Sequence, residues 1–354
     1  MKQVFVYTFL LLNIFAALAI GIASVSVFIS PEVIWLPALF GMGYPYLLIF
    51  NLIFVVFWIF VKPKFSLLSL FVILAGYNHI GNYLQFLGND TLEKGLRVTS
   101  YNVKYFMGTS EIPNKESAEQ IVRFLRDDSA DIICLQEVNL NKSHIFNIKD
   151  TQLPQVNHLQ LAHNGQAGGL ITMTRFPILN MEEIRFGNSG NMIIFTDLLI
   201  DKDTIRVYNC HLQSYKLHKA EINSIDSIEF SNHPKNKKKV LALGVKFKNA
   251  LVKRAEQAAK LRESIDQSPY PVIVCGDFND MPVSYTYKTV KGNLLDSFTE
   301  SGKGTANTYN GTLPSFRIDF ILYSPIFASY NFKVSDINQS DHFPVSCDLL
   351  PAVK

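Results

Sequence analysis

The sequence predicts an amino-terminal group of transmembrane α-helices followed by one α+β domain. Two observations lead to this fold class. Residues 1–89 hold long apolar segments almost free of charge, whereas residues 93–354 alternate short strand patterns with turns and two helical stretches. The chain of 354 residues is 48% hydrophobic and only 18% charged, and the apolar excess is concentrated in the first of these two parts.

The apolar segments run from Val4 to Ser30, from Val33 to Val61 and from Phe65 to Gly88, and none contains Asp, Glu, Lys or Arg. Each exceeds the roughly twenty residues that a helix needs to cross the hydrocarbon core of a bilayer. We therefore expect about three transmembrane helices in residues 1–89. Two alternatives stay open: the first segment also resembles a signal peptide, and the polar second half of the third suits a helix in the membrane interface.

The few cations of this region predict its orientation. Lys2 precedes the first segment and Lys62 and Lys64 separate the second from the third, whereas only Glu32 lies between the first two. Lysines mark the cytoplasmic side of a membrane. We expect a protein of the plasma or inner membrane whose helices contact lipid and whose residues 93–354 lie on the extracytoplasmic side.

The second part is long enough for one large core. Its first predicted elements are a strand from Leu96 to Val103 and a helix from Ser117 to Asp127. Further strands are predicted at 131–137, 168–174, 193–199, 205–212, 272–277, 317–322 and 340–347, and a second helix near 250–265 follows an extended stretch at 213–249. The net charge is only +3 and no groove of basic and aromatic residues is evident, so nucleic acid is a possible but not a favoured partner.

The predicted extended stretch contains a run of cations, Lys235, Lys237, Lys238 and Lys239. Such a run is typical of a solvated face. The alternative is a basic surface that faces anionic lipid headgroups or a phosphate substrate.

The four cysteines fall in apolar strand patterns and form no CxxC pair: Cys134, Cys210, Cys275 and Cys347. A metal-type cysteine cluster is therefore not indicated. We expect buried free thiols that fill the core of a sheet.

Several predicted strands end in polar side chains. In the stretch from Val272 to Asp280, an apolar run stops at Gly276 and releases Asp277 and Asn279, which extended chain directs to the same side. The other strand ends supply Asn102, Glu137, His211, Asp319, Asp341 and His342. Each alone is typical of a turn or a cap, but so many in one domain favour a shared site. Oxygen ligands without thiolates favour Mg²⁺ or Mn²⁺ over zinc, and such a site suits phosphoryl chemistry.

These strand ends carry six motifs in a fixed order. They are Ser-Tyr-Asn-Val at 100–103, Leu-Gln-Glu at 135–137, Asn-Cys-His-Leu at 209–212, Gly-Asp-Phe-Asn at 276–279, Arg-Ile-Asp-Phe at 317–320 and Ser-Asp-His at 340–342. The set resembles the endonuclease/exonuclease/phosphatase superfamily over roughly Lys94 to Leu350, and we expect a closer relation to membrane-anchored bacterial members of unknown substrate. The resemblance implies a four-layer α/β/β/α sandwich, with two central sheets covered by helices and the site at one edge.

The resemblance also implies roles for the strand-end residues. Asn102, Glu137 and Asp341 would lie at the metal, with Glu137 as a direct ligand. Asp277 and Asn279 would position or deprotonate the attacking water, and His211 would donate to a phosphate oxygen. His342, oriented by Asp319, would act as general acid or base or would stabilise the transition state. Asn209 and Arg175 are candidate substrate-binding residues, although the role of the basic position at Arg175 varies in the family.

The chain departs from the family pattern at two places. Abasic-site enzymes carry an acid two residues after the position of Asn102, where this chain has Lys104, and this argues against DNA repair. The carboxylate that pairs with the equivalent of His211 in pancreatic-type deoxyribonucleases has no recognisable counterpart.

The sequence therefore predicts a membrane-anchored, metal-dependent phosphoesterase that cleaves a phosphodiester or phosphomonoester in a lipid headgroup or small phosphorylated substrate. One alternative is a metal-dependent DNA or RNA endonuclease or exonuclease. The other is an inactive membrane scaffold of the same fold, against which the intact set of acids, amides and histidines argues.

Overall fold

The structure, a computed structural model, describes residues 2–108, 112–139, 153–165, 168–187, 189–216, 234–311 and 316–352. Within these residues, two helices are long and apolar enough to cross a membrane, Gln3–Ser26 and Tyr44–Val61. A two-sheet α/β domain follows them in the chain. The predicted order of apolar helices first and mixed domain second is confirmed.

The amino-terminal region contains five helices: α1 (Lys2–Ser26), α2 (Leu36–Met42), α3 (Tyr44–Val61), α4 (Ser66–Ala75) and α5 (Tyr77–Ile80). Helices α1 and α3 are antiparallel, because the rings of Phe9 and Phe57 lie 5.0 Å apart at one end while Ile20 packs with Tyr44 at the other. Helix α4 returns beside both. The third apolar segment thus forms two short helices, α4 and α5, rather than one long helix.

The α/β domain is built on two six-stranded sheets. The strands are β1 (Leu96–Asn102), β2 (Ile132–Asn139), β3 (His158–His163), β4 (Gly168–Thr174), β5 (Ile178–Arg185), β6 (Met192–Ile200), β7 (Asp203–His211), β8 (Val272–Asp277), β9 (Leu295–Asp296), β10 (Asp319–Tyr323), β11 (Phe327–Val334) and β12 (Val345–Pro351). The first sheet has the order β11-β12-β1-β2-β4-β3, and the second has the order β5-β6-β7-β8-β10-β9. The α-helices among the described residues of this domain are α6 (Lys115–Asp128), α7 (Pro234–Asp266), α8 (Tyr285–Lys291) and α9 (Ser297–Ser301).

Apolar side chains of the two sheets form one common core. Val98 and Ile132 of the first sheet belong to the same buried cluster as Val207 and Ile273 of the second. On its other face the first sheet packs against α6, and the second sheet packs against α7 and α8. The four cysteines are buried free thiols in this framework, as predicted.

The prediction of an extended stretch at 213–249 is wrong from Pro234 onward, because α7 already begins there. Residues 217–233 of that stretch lie outside the described residues. Residues 237–242 of α7 are exposed, including Val240 and Leu241, so they show no buried apolar stripe. They are helical because they continue the buried half of α7 beyond Ala250.

The helical region and the α/β domain are fastened together by close contacts. A Cβ atom placed on Gly41 would lie 2.6 Å from the carbonyl oxygen of Val283, so only glycine lets α2 approach the loop after β8 this closely. Arg317 Nη2 donates to the carbonyl oxygen of Asn82 at 3.1 Å. The domain therefore sits at the end of the helical bundle where α1 ends and α3 begins.

Candidate active site

The two sheets bring their strand ends to one edge of the domain. Strands β1 and β2 are parallel neighbours in the first sheet, and β7 and β8 are parallel neighbours in the second. The amide nitrogen Nδ2 of Asn102, at the end of β1, donates to Oδ2 of Asp277, at the end of β8, at 3.0 Å. The polar carboxyl ends of both sheets therefore meet in a single site.

A β-bulge aims Glu137 at this site. The pairing of β2 with β4 shifts register between Leu135 and Val138, and Glu137 adopts a φ of 51°, in the left-handed region. The extra residue lets Gln136 reach across to the second sheet, where its Nε2 donates to Oδ1 of Asn209 at 2.8 Å. Glu137 is thereby free to turn its carboxylate toward the cavity at the edge of the sheets.

The end of β8 depends on a glycine and a tight turn. A Cβ atom on Gly276, whose φ is 137°, would lie 2.0 Å from the carbonyl oxygen of Cys210 in β7. After this close approach the backbone N–H of Asn279 donates to Oδ1 of Asp277 at 2.7 Å, and its Nδ2 donates to Oδ2 at 3.0 Å. The turn thus holds the Asp277 carboxylate in one orientation, as Asx-type turns do.

Strand pairing also places Asp319 beside Asp277. The two residues are directly opposite in the antiparallel pair of β8 and β10. His342 arrives from the loop before β12, where the Ser340 hydroxyl donates to the carbonyl oxygen of Asn102 at 2.7 Å and fixes the loop to β1. As a result His342 Nδ1 lies 2.9 Å from Asp319 Oδ2, and its Nε2 lies 3.8 Å from Asp277 Oδ2.

His211 lies between the two carboxylates at the strand ends. Its Nε2 is 3.2 Å from Glu137 Oε1 and 3.9 Å from Asp277 Oδ2, and neither contact has the alignment of a hydrogen bond. Burial lowers the pKa of His211, but Glu137 and Asp277 outweigh burial and raise it above its ordinary value. Burial likewise raises the pKa of Glu137, but the contacts with His211, His342 and Asn102 bring it below its ordinary value.

Burial and neighbouring charges shift the pKa values of both His342 and Asp277. Burial acts to lower the pKa of His342, but the charges of Asp319 and Asp277 and the hydrogen bond to Asp319 together raise it to about 10. Burial raises the pKa of the Asp277 carboxyl above its ordinary value, against the opposing effect of the two histidines. Two titratable groups whose environments shift them so strongly are typical of active sites.

A cavity of about 590 Å³ adjoins this group, whereas Asn102, His211 and Asp319 lie behind its lining residues. Glu137, Asp277, Asn279, Asp341 and His342 are among the described residues that line it. The cavity also contains side chains for which the sequence offered no signal, such as Tyr309, whose ring meets the His342 ring edge-on with centroids 5.4 Å apart. Met42, from the end of α2, is a second such residue.

Two of the residues expected at the site lie elsewhere. Asn209 is completely buried between the sheets, where its Nδ2 donates to the carbonyl oxygens of Leu135 and Ile171. Arg175 follows β4 at the opposite edge of the first sheet and pairs with Asp131 at 2.6 Å. Neither side chain is among the described residues that line the cavity, and their contact with substrate stays a prediction.

Asp341 does line the cavity, but it faces a cation. Lys104 Nζ lies 3.4 Å from Asp341 Oδ2, and Lys104 is itself a lining residue. Lys104, which stands where abasic-site enzymes have an acid, thus compensates the negative charge of Asp341.

Two groups of side chains have the composition of a metal site. Oxygen or nitrogen atoms of Asp277, Asp319 and His342 lie within 4.8 Å of one another. That group is held together by the Asp319–His342 hydrogen bond, and a protonated imidazole offers no lone pair to a cation. The carboxylate of Glu137 with the amide of Asn102, whose Nδ2 lies 3.3 Å from Oε1, is therefore the better candidate for a hard divalent ion.

The chain matches a family model described as the endonuclease/exonuclease/phosphatase family over residues 99–342. A second model, described as a domain of unknown function, matches residues 6–83. No curated protein sequence matches the chain.

Solved structures with the same fold share little sequence with this chain. The human Nocturnin catalytic domain with bound sulfate anion is 19% identical, with a TM-score of 0.53 over 74% of this chain and 96% of that one. Truncated TDP2 from Caenorhabditis elegans is 18% identical, with a TM-score of 0.51 over 72% and 97%. An endonuclease/exonuclease/phosphatase from Beutenbergia cavernae is 17% identical, with a TM-score of 0.51 over 73% and 72%.

Proposed function

The chain belongs to the endonuclease/exonuclease/phosphatase family of hydrolases, which act on phosphoester bonds, and we propose that it is a membrane-anchored phosphoesterase. Its substrate would be a phosphodiester or phosphomonoester, in a lipid headgroup or a small phosphorylated molecule. The packing of α6 and α7 on the outer faces of the two sheets supports a four-layer α/β/β/α sandwich with the site at one edge.

The observation that carries the proposal is the contact of Asp319, His342 and Asp277, the last two of which line the cavity. The imidazole of His342 is held through Nδ1 by Asp319, and its Nε2 points toward Asp277, which lines the cavity. This is an orienting acid, a charged imidazole and a second carboxylate in contact. A scaffold without activity has no need of three buried ionisable groups at one sheet edge, since burying charge is costly unless it has a use.

The family depends on a divalent metal, and the residues present fit one. Glu137 and Asn102 would hold the ion together with Asp341, and oxygen donors of this kind suit Mg²⁺ or Mn²⁺. Glu137 is suited to be the ligand because its contacts with His211, His342 and Asn102 hold its pKa below the ordinary value. Its carboxylate is therefore deprotonated at neutral pH. A bound divalent ion would supply neutralisation of the phosphate charge.

Asp277, His342 and His211 would have separate roles in hydrolysis. Asp277, oriented by Asn279 and Asn102, would position a water molecule and take its proton. His342, kept protonated by Asp319, would stabilise the negative charge that develops on the phosphate oxygens or protonate the leaving oxygen. His211 would donate to a phosphate oxygen from its place between Glu137 and Asp277. Positioned donors of this kind commonly lower barriers by several kcal/mol, roughly 3 to 4 for one donor.

Membrane anchoring is supported by the surface of the helical region. Only 22% of the apolar window of α1 and 17% of that of α3 is buried within the protein, far less than for a core helix. Large exposed apolar surfaces of this kind belong in lipid. The described end of the bundle opposite the α/β domain carries Lys62 and Lys64, so the proposed location is the plasma or inner membrane with the domain on the extracytoplasmic side.

A metal-dependent nuclease is the second candidate. It is favoured by the fold that the chain shares with TDP2 and Nocturnin, but that likeness shows the fold alone. The low net charge of +3 favours a smaller substrate, since nucleic-acid binding rests on a strong basic surface.

The experiment that tests the proposal is a substrate panel on the purified full-length protein in detergent. The panel would contain phosphodiesters, phosphomonoesters and single- and double-stranded DNA and RNA oligonucleotides, each with Mg²⁺ or Mn²⁺ and with chelator. We expect metal-dependent hydrolysis of small phosphoesters above that of oligonucleotides. Preferential cleavage of oligonucleotides would establish the nuclease instead, and no hydrolysis of any substrate would support the scaffold.

A further inference from the structure

The candidate active-site cavity is not built from the family domain alone. Met42, the last residue of α2, lines it together with Asp277 and His342. Helix α2 lies within the region that matches a different family model, residues 6–83, whereas the catalytic family model begins at residue 99. The helical region thus contributes a wall of the cavity as well as attaching the domain to a membrane.

Met42 is held in this wall by contacts on two sides. The hydroxyl of Tyr215, another lining residue, donates to Met42 Sδ at 3.2 Å. The next residue back, Gly41, is pressed against the carbonyl oxygen of Val283 so closely that no side chain would fit. Tyr215 is in turn fixed by the buried Arg254, whose Nη1 donates to its hydroxyl at 3.2 Å.

The wall around Met42 is apolar. Met281, Phe316 and Ile318 line the same cavity as Glu137 and Asp277, so polar reacting groups and apolar side chains share one space. A ligand that fills this space would carry a phosphoester for the first set of residues and hydrocarbon for the second.

We propose that Met42 is a specificity-determining residue and that the cavity takes an amphiphilic phosphoester, with its alkyl portion against Met42 and its phosphate at Glu137, Asp277 and His342. The inference rests on the proposed phosphoesterase function. It adds that a residue of the helical region selects the substrate. The helical region then has two roles, to anchor the domain and to complete the site.

The test compares two diesters with the same leaving group, methyl p-nitrophenyl phosphate and hexyl p-nitrophenyl phosphate, on full-length protein at one fixed detergent concentration. We expect kcat/KM for the hexyl ester to exceed that for the methyl ester. Met42→Gln should lower the hexyl-to-methyl ratio about tenfold, the effect expected for lost apolar contact with a few methylene groups. Met42→Leu, which conserves apolar volume, should retain the ratio.

Leu36→Gln is the matched control, because Leu36 lies on the same helix but not in the cavity. We expect its ratio to equal that of the wild type. An equal kcat/KM for the two esters in the wild type would overturn the inference while leaving the phosphoesterase intact. So would equal ratios for Met42→Gln and Met42→Leu, or a preference of the wild type for thymidine 5′-p-nitrophenyl phosphate. Failure to hydrolyse either diester would also overturn the inference, and only failure on the phosphomonoesters as well would count against the proposed function itself.

Discussion

His342 Nδ1 lies 2.9 Å from Oδ2 of Asp319, and both side chains are almost fully buried. This hydrogen bond orients the imidazole and, with the charge of Asp277, keeps it protonated. Loss of a positioned acid or base costs about 10² to 10⁴ in rate. We therefore expect His342→Ala to lower kcat by that range with little change in KM.

Asp319→Asn should lower kcat by less than His342→Ala does, because the imidazole of His342 is still present but poorly oriented. His158→Ala is the control, since His158 is exposed on β3 and should have no effect. A His342→Ala enzyme with near wild-type kcat would reduce Ser340-Asp341-His342 to a structural loop.

The second prediction concerns Glu137. If this carboxylate is a ligand of the metal, chelator should abolish activity and Mg²⁺ or Mn²⁺ should restore it. Glu137→Gln removes the charge and should raise the metal concentration needed for half-maximal activity by orders of magnitude, about 100-fold or more, since a site with a single carboxylate holds Mg²⁺ weakly. Titration of activity with metal measures this directly.

Glu182→Gln provides the comparison for Glu137. It removes an exposed carboxylate from β5 without touching the cavity, so its metal titration should match that of the wild type. Full turnover of the wild type in excess chelator would rule out the proposed role of Glu137.

The interior of both sheets was predictable from the sequence, and their edges were not. Every strand that the sequence indicated lies inside its sheet, and the four strands it missed, β3, β5, β9 and β11, are the four edge strands. An interior strand is buried on both faces and carries a dense apolar run. The edge strand β5 is exposed along most of its length, so its residues show little of that pattern.

The clustering of the strand-end residues was predictable for a related reason. Asn102, Glu137, His211 and Asp277 end interior strands, and parallel strands deliver their ends to one edge whatever the loops do. The sequence could not show that Asn209 points away from the cavity, because only the structure shows that its side chain lies between the sheets. Met42 lies far away in sequence and reaches the cavity only through packing of α2, which no local pattern encodes.

The third prediction concerns topology. Lys62 and Lys64 follow α3 at the end of the bundle away from the α/β domain, and α1 begins at that same end. The positive-inside rule then places the domain outside the cytoplasm. Alkaline phosphatase fused after Asn89 should be active and green fluorescent protein fused there should be dark. Fluorescence of the second fusion with an inactive first one would reverse the orientation.

The fourth prediction concerns the buried ion pair behind the cavity. Arg254 Nη1 lies 3.1 Å from Asp280 Oδ2, and both side chains are nearly inaccessible to solvent. Removing one partner leaves the other charge buried and unpaired, which lowers stability by about 3 to 5 kcal/mol. Asp280→Ala should therefore lower the free energy of unfolding of the α/β domain by that amount in denaturant titrations.

Asp266→Ala is the matched control, since Asp266 lies on the same helix as Arg254 and its pair with Arg262 is exposed and worth about 0.3 to 0.5 kcal/mol. The double variant Arg254→Met with Asp280→Leu should recover much of the loss, because it leaves no charge behind. Equal stability of Asp280→Ala and Asp266→Ala would show that the buried pair does not stabilise the domain.

The last prediction concerns a chain of hydrogen bonds that joins three helices of the amino-terminal region. The Ser69 hydroxyl on α4 accepts from Asn13 Nδ2 on α1 at 2.5 Å and donates to Asn51 Oδ1 on α3 at 2.8 Å. Interhelical bonds of this kind in a bilayer are worth about 0.6 to 2 kcal/mol. Ser69→Ala should lower the melting temperature in lipid nanodiscs, whereas Ser24→Ala, which loses only a bond within α1 to the carbonyl oxygen of Ile20, should leave it nearly unchanged. If α1 were removed as a signal peptide, the bond between Asn13 and Ser69 would be lost and Ser69→Ala would have less effect. An unchanged melting temperature of Ser69→Ala would therefore count against α1 as a permanent part of the protein.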